Sequence, residues 1–400
     1  MMETGKRARW RDDYDERLGD ALPPELPCLP PEMIREILLR LPAKSIGRFR
    51  CVSKLFRSLS SDPKFAKTHL DLSLRNDALR SARRRLVVSY KHLYTVSFDS
   101  IVDTSDGTRD LGAVEIPESP VMVNFVSSYY QDGRRIELVG TCNGLVCTTS
   151  EDAVTFLFNL TTRESKEIPG LREFLDSVSK EETFSAFGFG FGFDAITDDY
   201  KVVALVTGDV LNASVYSLKT GSWKLVGDSR YEYANSAEGL LVNGAIHWFA
   251  LHEEDDRLVV VAFDLATEQF KDMALPDEAE DCAHGRGGFE LHKLNGRLCM
   301  VYTCCENHDD FWVMNEYGVA SSWARVRISV QYDSMKPLCS GKKEEETLME
   351  INGQLVLCNF RNDTSTSLVL KDAKLRCIIE ADRADTYIES LISPNSYGGV

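Results

Sequence analysis

Long apolar runs are missing from this 400-residue chain, and no stretch is long enough to cross a membrane as a helix. Met1 to Asp20 is charged and has no apolar h-region, so no secretory signal is expected there. The most visible catalytic fingerprints are missing too: no G-x-S-x-G elbow, no H-E-x-x-H and no P-loop occurs. Gly188, Gly190 and Gly192 alternate as G-x-G-x-G with no helix expected after them. That spacing fits strand glycines facing a close neighbour better than a dinucleotide fingerprint. Cys304-Cys305-Glu306-Asn307-His308 lacks the two-residue spacer of a zinc site, and no second ligand pair is near. His247 and His252 do not form a ligand pair, and His247 is expected to pack beside Trp248. We therefore expect no catalytic residues, no metal and no cofactor.

What is present describes a soluble globular protein: 43% hydrophobic residues and a mean hydropathy of −0.22. The length suits a small module plus one large domain. Eleven cysteines are scattered through apolar segments, so they are expected to be reduced and mostly buried. The sequons at Asn159 and Asn212 then have no role. Lys6-Arg7-Ala8-Arg9 is a weak candidate for nuclear import, but Asp12, Asp13, Asp15 and Glu16 follow it. A disordered tail over residues 1–25 is the simpler expectation. The expected location is nucleus, cytoplasm or both.

Residues 29–59 carry the densest helical signal. Pro31 suits a first helical turn and Glu32 complements the positive end of the helix dipole. Met33, Ile34, Ile37, Leu38 and Leu41 then make one wide apolar stripe, with Arg35, Glu36 and Arg40 opposite. Pro42 ends the helix. A second helix is expected over Ala43 to Cys51, burying Ile46 and Phe49. Ser53 is expected to cap a third, and Asp62-Pro63 to start a fourth. Some thirty residues are too few to enclose a core. A helical hairpin inside a larger core is one reading and a partner-docking module is the other. Residues 30–70 carry a charge of +6 while the rest of the chain carries −22. That balance argues against nucleic acid and for an acidic protein surface as the partner of the helices. The acidic clusters at Glu253–Asp256, Asp277–Asp281 and Glu344–Glu346 read as solvated loops, or else as a rim selecting a basic partner.

The remainder repeats. Apolar runs ending in polar turns recur, with turns near 161, 219, 266, 317 and 371 and a further one at 103–108. Asn143-Gly144, Asn243-Gly244, Asn295-Gly296 and Asn352-Gly353 each precede another apolar run, the strongest short hairpin signal. Units of about fifty residues with four short strands each predict a six-bladed β-propeller over 86–393, in preference to a pair of β-sandwiches. Closure is expected between residues 86–90 and 387–392, and one helical turn is expected near Leu171 to Ser179.

The first region resembles the F-box, the adaptor-binding module of cullin-type ubiquitin ligases. Leu29-Pro30, the run Glu36–Pro42 and Arg48-Phe49-Arg50-Cys51-Val52-Ser53-Lys54 carry the resemblance. Phe56 stands where plant members usually have Trp, Met33 where Leu is usual, and Gly47 where an aliphatic residue is usual. Gly47 should weaken its helix by about 1 kcal/mol relative to Ala. The repeats resemble the plant F-box-associated domain through Thr141–Cys147, Gly192-Phe193-Asp194 with Thr197–Val203, Val242–Trp248, Phe311–Met314 with Trp323, and Tyr387–Pro394.

These resemblances imply an all-α F-box at 26–73, a linker at 74–85, an all-β propeller at 86–395 and a tail at 396–400. They imply a non-catalytic subunit of an SCF-type ligase. Leu29, Pro30, Ile34, Ile37, Leu38, Leu41, Pro42, Phe49, Val52 and Phe56 would dock on a Skp-family adaptor, and through it on a cullin scaffold. The propeller would hold a target protein whose identity the sequence does not give. The alternative is a propeller that binds a small molecule or glycan, or is an enzyme, with the F-box in another role. A polar pocket on the propeller axis would favour that alternative.

Overall fold

In the computed structural model the described residues are 29–89, 93–103, 109–115, 136–150, 154–178, 185–207, 211–227, 230–233, 239–276, 288–302, 308–341, 345–372 and 383–397. Outside them lie the expected tail at 1–25 with its basic patch, the turn at 104–108, the acidic cluster at 277–281 and the Cys304-Cys305 pair. The chain divides into two compact units, Met1–Leu41 and Pro42–Val400, each described here by itself.

The first unit holds helix α1, Pro31–Arg40. The Met33 and Ile34 amides donate to the Pro30 carbonyl, at 3.0 and 3.1 Å, and Glu36 pairs with Arg40 one turn on, at 2.8 Å. Leu41 is extended, as a residue before proline must be.

The second unit opens with α2 (Ala43–Phe49), α3 (Lys54–Ser61), α4 (Pro63–Arg75) and α5 (Asp77–Arg83). The caps follow the sequence. Ser53 accepts from the Phe56 amide at 3.2 Å, and Asp62 accepts from the Lys64 amide at 2.9 Å. Helix α2 stops at Phe49, short of Cys51. The stretch read as a linker, 74–85, is instead mostly helical. Asn76 caps α5 by accepting from the Leu79 amide at 3.0 Å, a signal the sequence reading passed over.

A propeller of six four-stranded antiparallel blades follows. Its inner strands are Arg383–Ile388, Ile136–Cys142, Ser185–Asp194, Leu240–Val242, Phe289–Leu294 and Met335–Ser340, which abut in that order and close a ring. The first blade is completed by the end of the chain: Arg84–Ser89 pairs with Arg383–Ile388, Leu86 opposite Thr386. The closing strand thus lies earlier than expected, and residues 389–392 run past it. A second seam is parallel, where Thr364–Asp372 pairs with Arg109–Glu115 and joins the outer edges of the sixth and first blades. In the fourth blade the inner edge is split between Tyr231–Tyr233 and Leu240–Val242. An eight-residue helix, α6 (Leu171–Val178), sits where a helical turn was expected.

All four Asn-Gly pairs have positive φ at both residues. Three join the first and second strands of their blades, whereas Asn352-Gly353 joins the second and third strands of the sixth. The expected turn near 371 also moves, because residues 371 and 372 are still paired as the last residues of an outer strand. The true fifth copy is Asn359–Asp363, where the Asn359 side chain accepts from the Arg361 and Asn362 amides at 3.0 and 3.1 Å. Asn159 and Asp264 make the same turn in their blades. Between blades the packing is apolar: Ile246, Trp248, Val261 and Phe263 interlock with Val203 and Leu205. Gly192 belongs to this packing, since a Cβ there would lie 2.5 Å from Leu265 and 2.7 Å from Leu241.

Candidate functional site

In the first unit, α1 presents an apolar surface to solvent. Ile37 is 48% exposed, and Leu29, Pro30 and Met33 are also exposed. Ile34 and Leu41 are half-buried. Leu38 differs from expectation: it is 3% exposed and its neighbour Leu39 4%, so neither faces solvent. Met33 was read as part of the stripe but was not among the residues expected to dock.

In the second unit, Val52 is 68% exposed, and Phe49 and Leu55 are exposed as well. Pro42 is exposed and Phe56 half-buried. The structure brings Phe49 and Phe56 together, with ring centroids 5.8 Å apart. Ala43 and Ile46 anchor α2 beneath them. A Cβ at Gly47 would meet nothing within 4 Å, so this glycine answers to no close contact. Leu55 was expected to be apolar on the third helix but was not among the residues expected to dock.

The propeller axis was the test for a small-molecule site. Strands of all six blades line a cavity of only about 50 Å³ there, with Leu138, Leu241 and Leu338 among its walls and Lys293, Lys336 and Asp385 its charged groups. A drug-sized ligand needs roughly 300 Å³ or more.

Titratable groups inside the propeller serve the fold. The Lys201 ammonium reaches Asp194 at 3.1 Å, Glu268 at 3.0 Å and the Leu265 carbonyl at 2.6 Å, tying the third blade to the fourth. Burial works to raise the Asp194 carboxyl, but hydrogen bonds from Thr197, Lys201 and two backbone amides outweigh it and hold it low. His247 is fully buried. Its Nδ1 donates to the Leu240 carbonyl at 3.0 Å, which leaves Nε2 to accept from the Tyr317 hydroxyl at 2.8 Å. Burial, opposed by its carbonyl partners, lowers its pKa to about 4, so it is neutral at physiological pH. Burial pushes the Cys142, Cys299 and Cys339 thiols up to about 12, far from a poised nucleophile. The cluster Glu253–Asp256 is an exposed turn between two strands of the fourth blade.

A short helical segment with solvent-facing apolar residues precedes a closed six-bladed propeller in the chain, which defines a propeller protein with an N-terminal helical module. Comparison with known sequences supplies the family. Residues 86–397 match the F-box associated beta propeller domain and residues 26–68 match the F-box domain. The chain belongs to the F-box-associated beta propeller family, with the F-box first. It is 29% identical over 390 residues to the F-box/kelch-repeat protein At3g23880 of Arabidopsis thaliana, covering 92% of this chain and 96% of that protein. F-box protein CPR1 of the same plant is 29% identical over 384 residues, covering 86% and 85%. F-box protein At4g22390, also from Arabidopsis thaliana, is 26% identical over 392 residues, covering 91% and 90%.

Proposed function

We propose that this protein is the substrate-recognition subunit of an SCF-type cullin-RING ubiquitin ligase, acting in the nucleus, the cytoplasm or both. The observation that carries the reading is the F-box match at 26–68, which falls on helices that leave Ile37, Phe49 and Val52 exposed. In this reading Leu29, Pro30, Ile34, Ile37, Leu41, Pro42, Phe49, Val52 and Phe56 dock on a Skp-family adaptor, while Leu38 is turned away from solvent. The adaptor links the receptor to a cullin scaffold, and the propeller holds a target protein. The receptor makes and breaks no bond. It raises the effective concentration of target lysines near the charged conjugating enzyme. The narrow propeller axis supports protein recognition over the small-molecule or glycan alternative.

The test is co-purification of the full chain with a Skp-type adaptor, beside Ile37→Asp and Val52→Asp. Because α4 buries Phe65 and Leu70, deleting residues 26–73 would damage the body of the protein, so point variants are the cleaner tool. Binding by the parent chain and its loss in both folded variants is expected. A folded parent chain that does not bind the adaptor would sink the reading.

A further inference from the structure

Residues 389–397, the stretch that runs past the closing strand, touch two parts of the second unit at once. On the propeller side, the Asn159 side-chain amide donates to the Ser390 carbonyl at 3.1 Å and to the Ile392 carbonyl at 2.6 Å. The Ser390 hydroxyl donates to the Asn143 carbonyl at 2.9 Å, and the Lys166 ammonium to the Tyr397 carbonyl at 3.0 Å. The Tyr397 ring stands edge-on to Tyr200, with centroids 5.2 Å apart. Gly144 leaves room for the segment, since a Cβ there would collide with Ser390 and the Ile388 carbonyl.

On the helix side, the Glu389 amide donates to the Arg83 carbonyl at 2.9 Å, and its carboxylate pairs with Arg85 at 3.3 Å. Arg83 closes α5 and is buried; its guanidinium donates to the His69 carbonyl at 3.1 Å and to the Ser73 hydroxyl of α4. Leu391, Ile392, Ser396 and Tyr397 then face Arg50 and Lys64 across a cleft of about 370 Å³. Beside this cleft Lys67 of α4 pairs directly with Asp198 of the third blade.

We propose that residues 389–397 are a latch that locks α3–α5 onto the propeller, with Arg83 as the positioning residue on the helix side. Apolar burial of Phe65, Ala66 and Leu70 holds α4 in place, and the directed bonds just named add to it and fix the register in which the helices sit on the propeller. In the receptor read above, the latch sets where Phe49, Val52 and Phe56 stand relative to the propeller; that consequence rests on the proposed function, whereas the latch itself does not.

The experiment is limited trypsin digestion of the full chain, reading cleavage within residues 63–83 against the melting transition of the propeller. Asn159→Asp keeps the oxygen that caps its turn but removes the donor to the latch and sets a carboxylate against two carbonyls. Asn359→Asp changes the same turn in the sixth blade, where the side-chain oxygen accepts from the Arg361 and Asn362 amides. The latch predicts about tenfold faster cleavage in 63–83 for Asn159→Asp and no change for Asn359→Asp. Equal rates in the two variants would overturn it. If Asn159→Asp unfolds the propeller as a whole, a chain ending at Pro394, which lacks the Tyr397 contacts, is read in the same way, and unchanged cleavage there overturns it. Cleavage needs no adaptor, so failure of adaptor binding and failure of the latch are separate results.

Discussion

The N-terminal helices and the propeller use the same kinds of apolar residue to opposite ends. In the propeller, Trp248, Ile246 and Val261 are enclosed between blades, and the ring closes through the pairing of residues 84–89 with 383–388. Between residues 29 and 59, Leu29, Met33, Ile37, Phe49, Val52 and Leu55 stay exposed. The first arrangement completes its own core. The second is left for another surface to complete, as expected of residues that a partner covers rather than residues that hold the chain together.

Perturbing the enclosed side should cost most. Trp248→Ala removes a fully buried indole between the third and fourth blades and should lose about 3–5 kcal/mol, read by urea unfolding. Ile37→Asp should behave in the opposite way. It should lower adaptor affinity by roughly a hundredfold, about 3 kcal/mol, in calorimetry, while stability stays within about 0.5 kcal/mol of the parent. A comparable loss of stability would erase the distinction between the two regions.

His247 sharpens the contrast through pH. Its folded pKa, about 4, lies below the ordinary value of 6.5, so between these values the unfolded chain binds the proton more readily. Its contribution is complete above pH 6.5 and is lost as pH falls toward 4. The full window is about 3 kcal/mol. Urea midpoints measured at pH 7 and pH 4.5 should therefore converge in His247→Gln relative to the parent. The smallest effect is expected at Gly47, where a methyl group meets open space. Gly47→Ala should stabilise α2 by up to about 1 kcal/mol, seen as slower amide exchange in residues 43–49.

Much of this fold was legible because local chemistry fixes it. Ser53 and Asp62 cap helices wherever they precede a helical run, Asn-Gly needs positive φ at both turn positions, and alternating apolar runs mark strands. Errors arose where tertiary context decides. Asn352-Gly353 has the same local geometry as its counterparts but joins a different pair of strands. The end of the outer strand Thr364–Asp372 was taken for a turn, and the turn before it at Asn359–Asp363 was passed over. Helix α5 is short, and its anchor is Arg83, a residue whose burial depends on His69 and Ser73 far up the chain. At the candidate site, the stripe on α1 was legible as a set, but which member turns inward was not. Leu38 and Ile37 are adjacent and chemically alike, yet one is buried and the other exposed.

The most direct measurement is hydrogen–deuterium exchange of the full chain with and without a Skp-type adaptor. The account predicts new protection confined to residues 29–59, with the propeller strands unchanged. Protection on the propeller with none in 29–59 would contradict it.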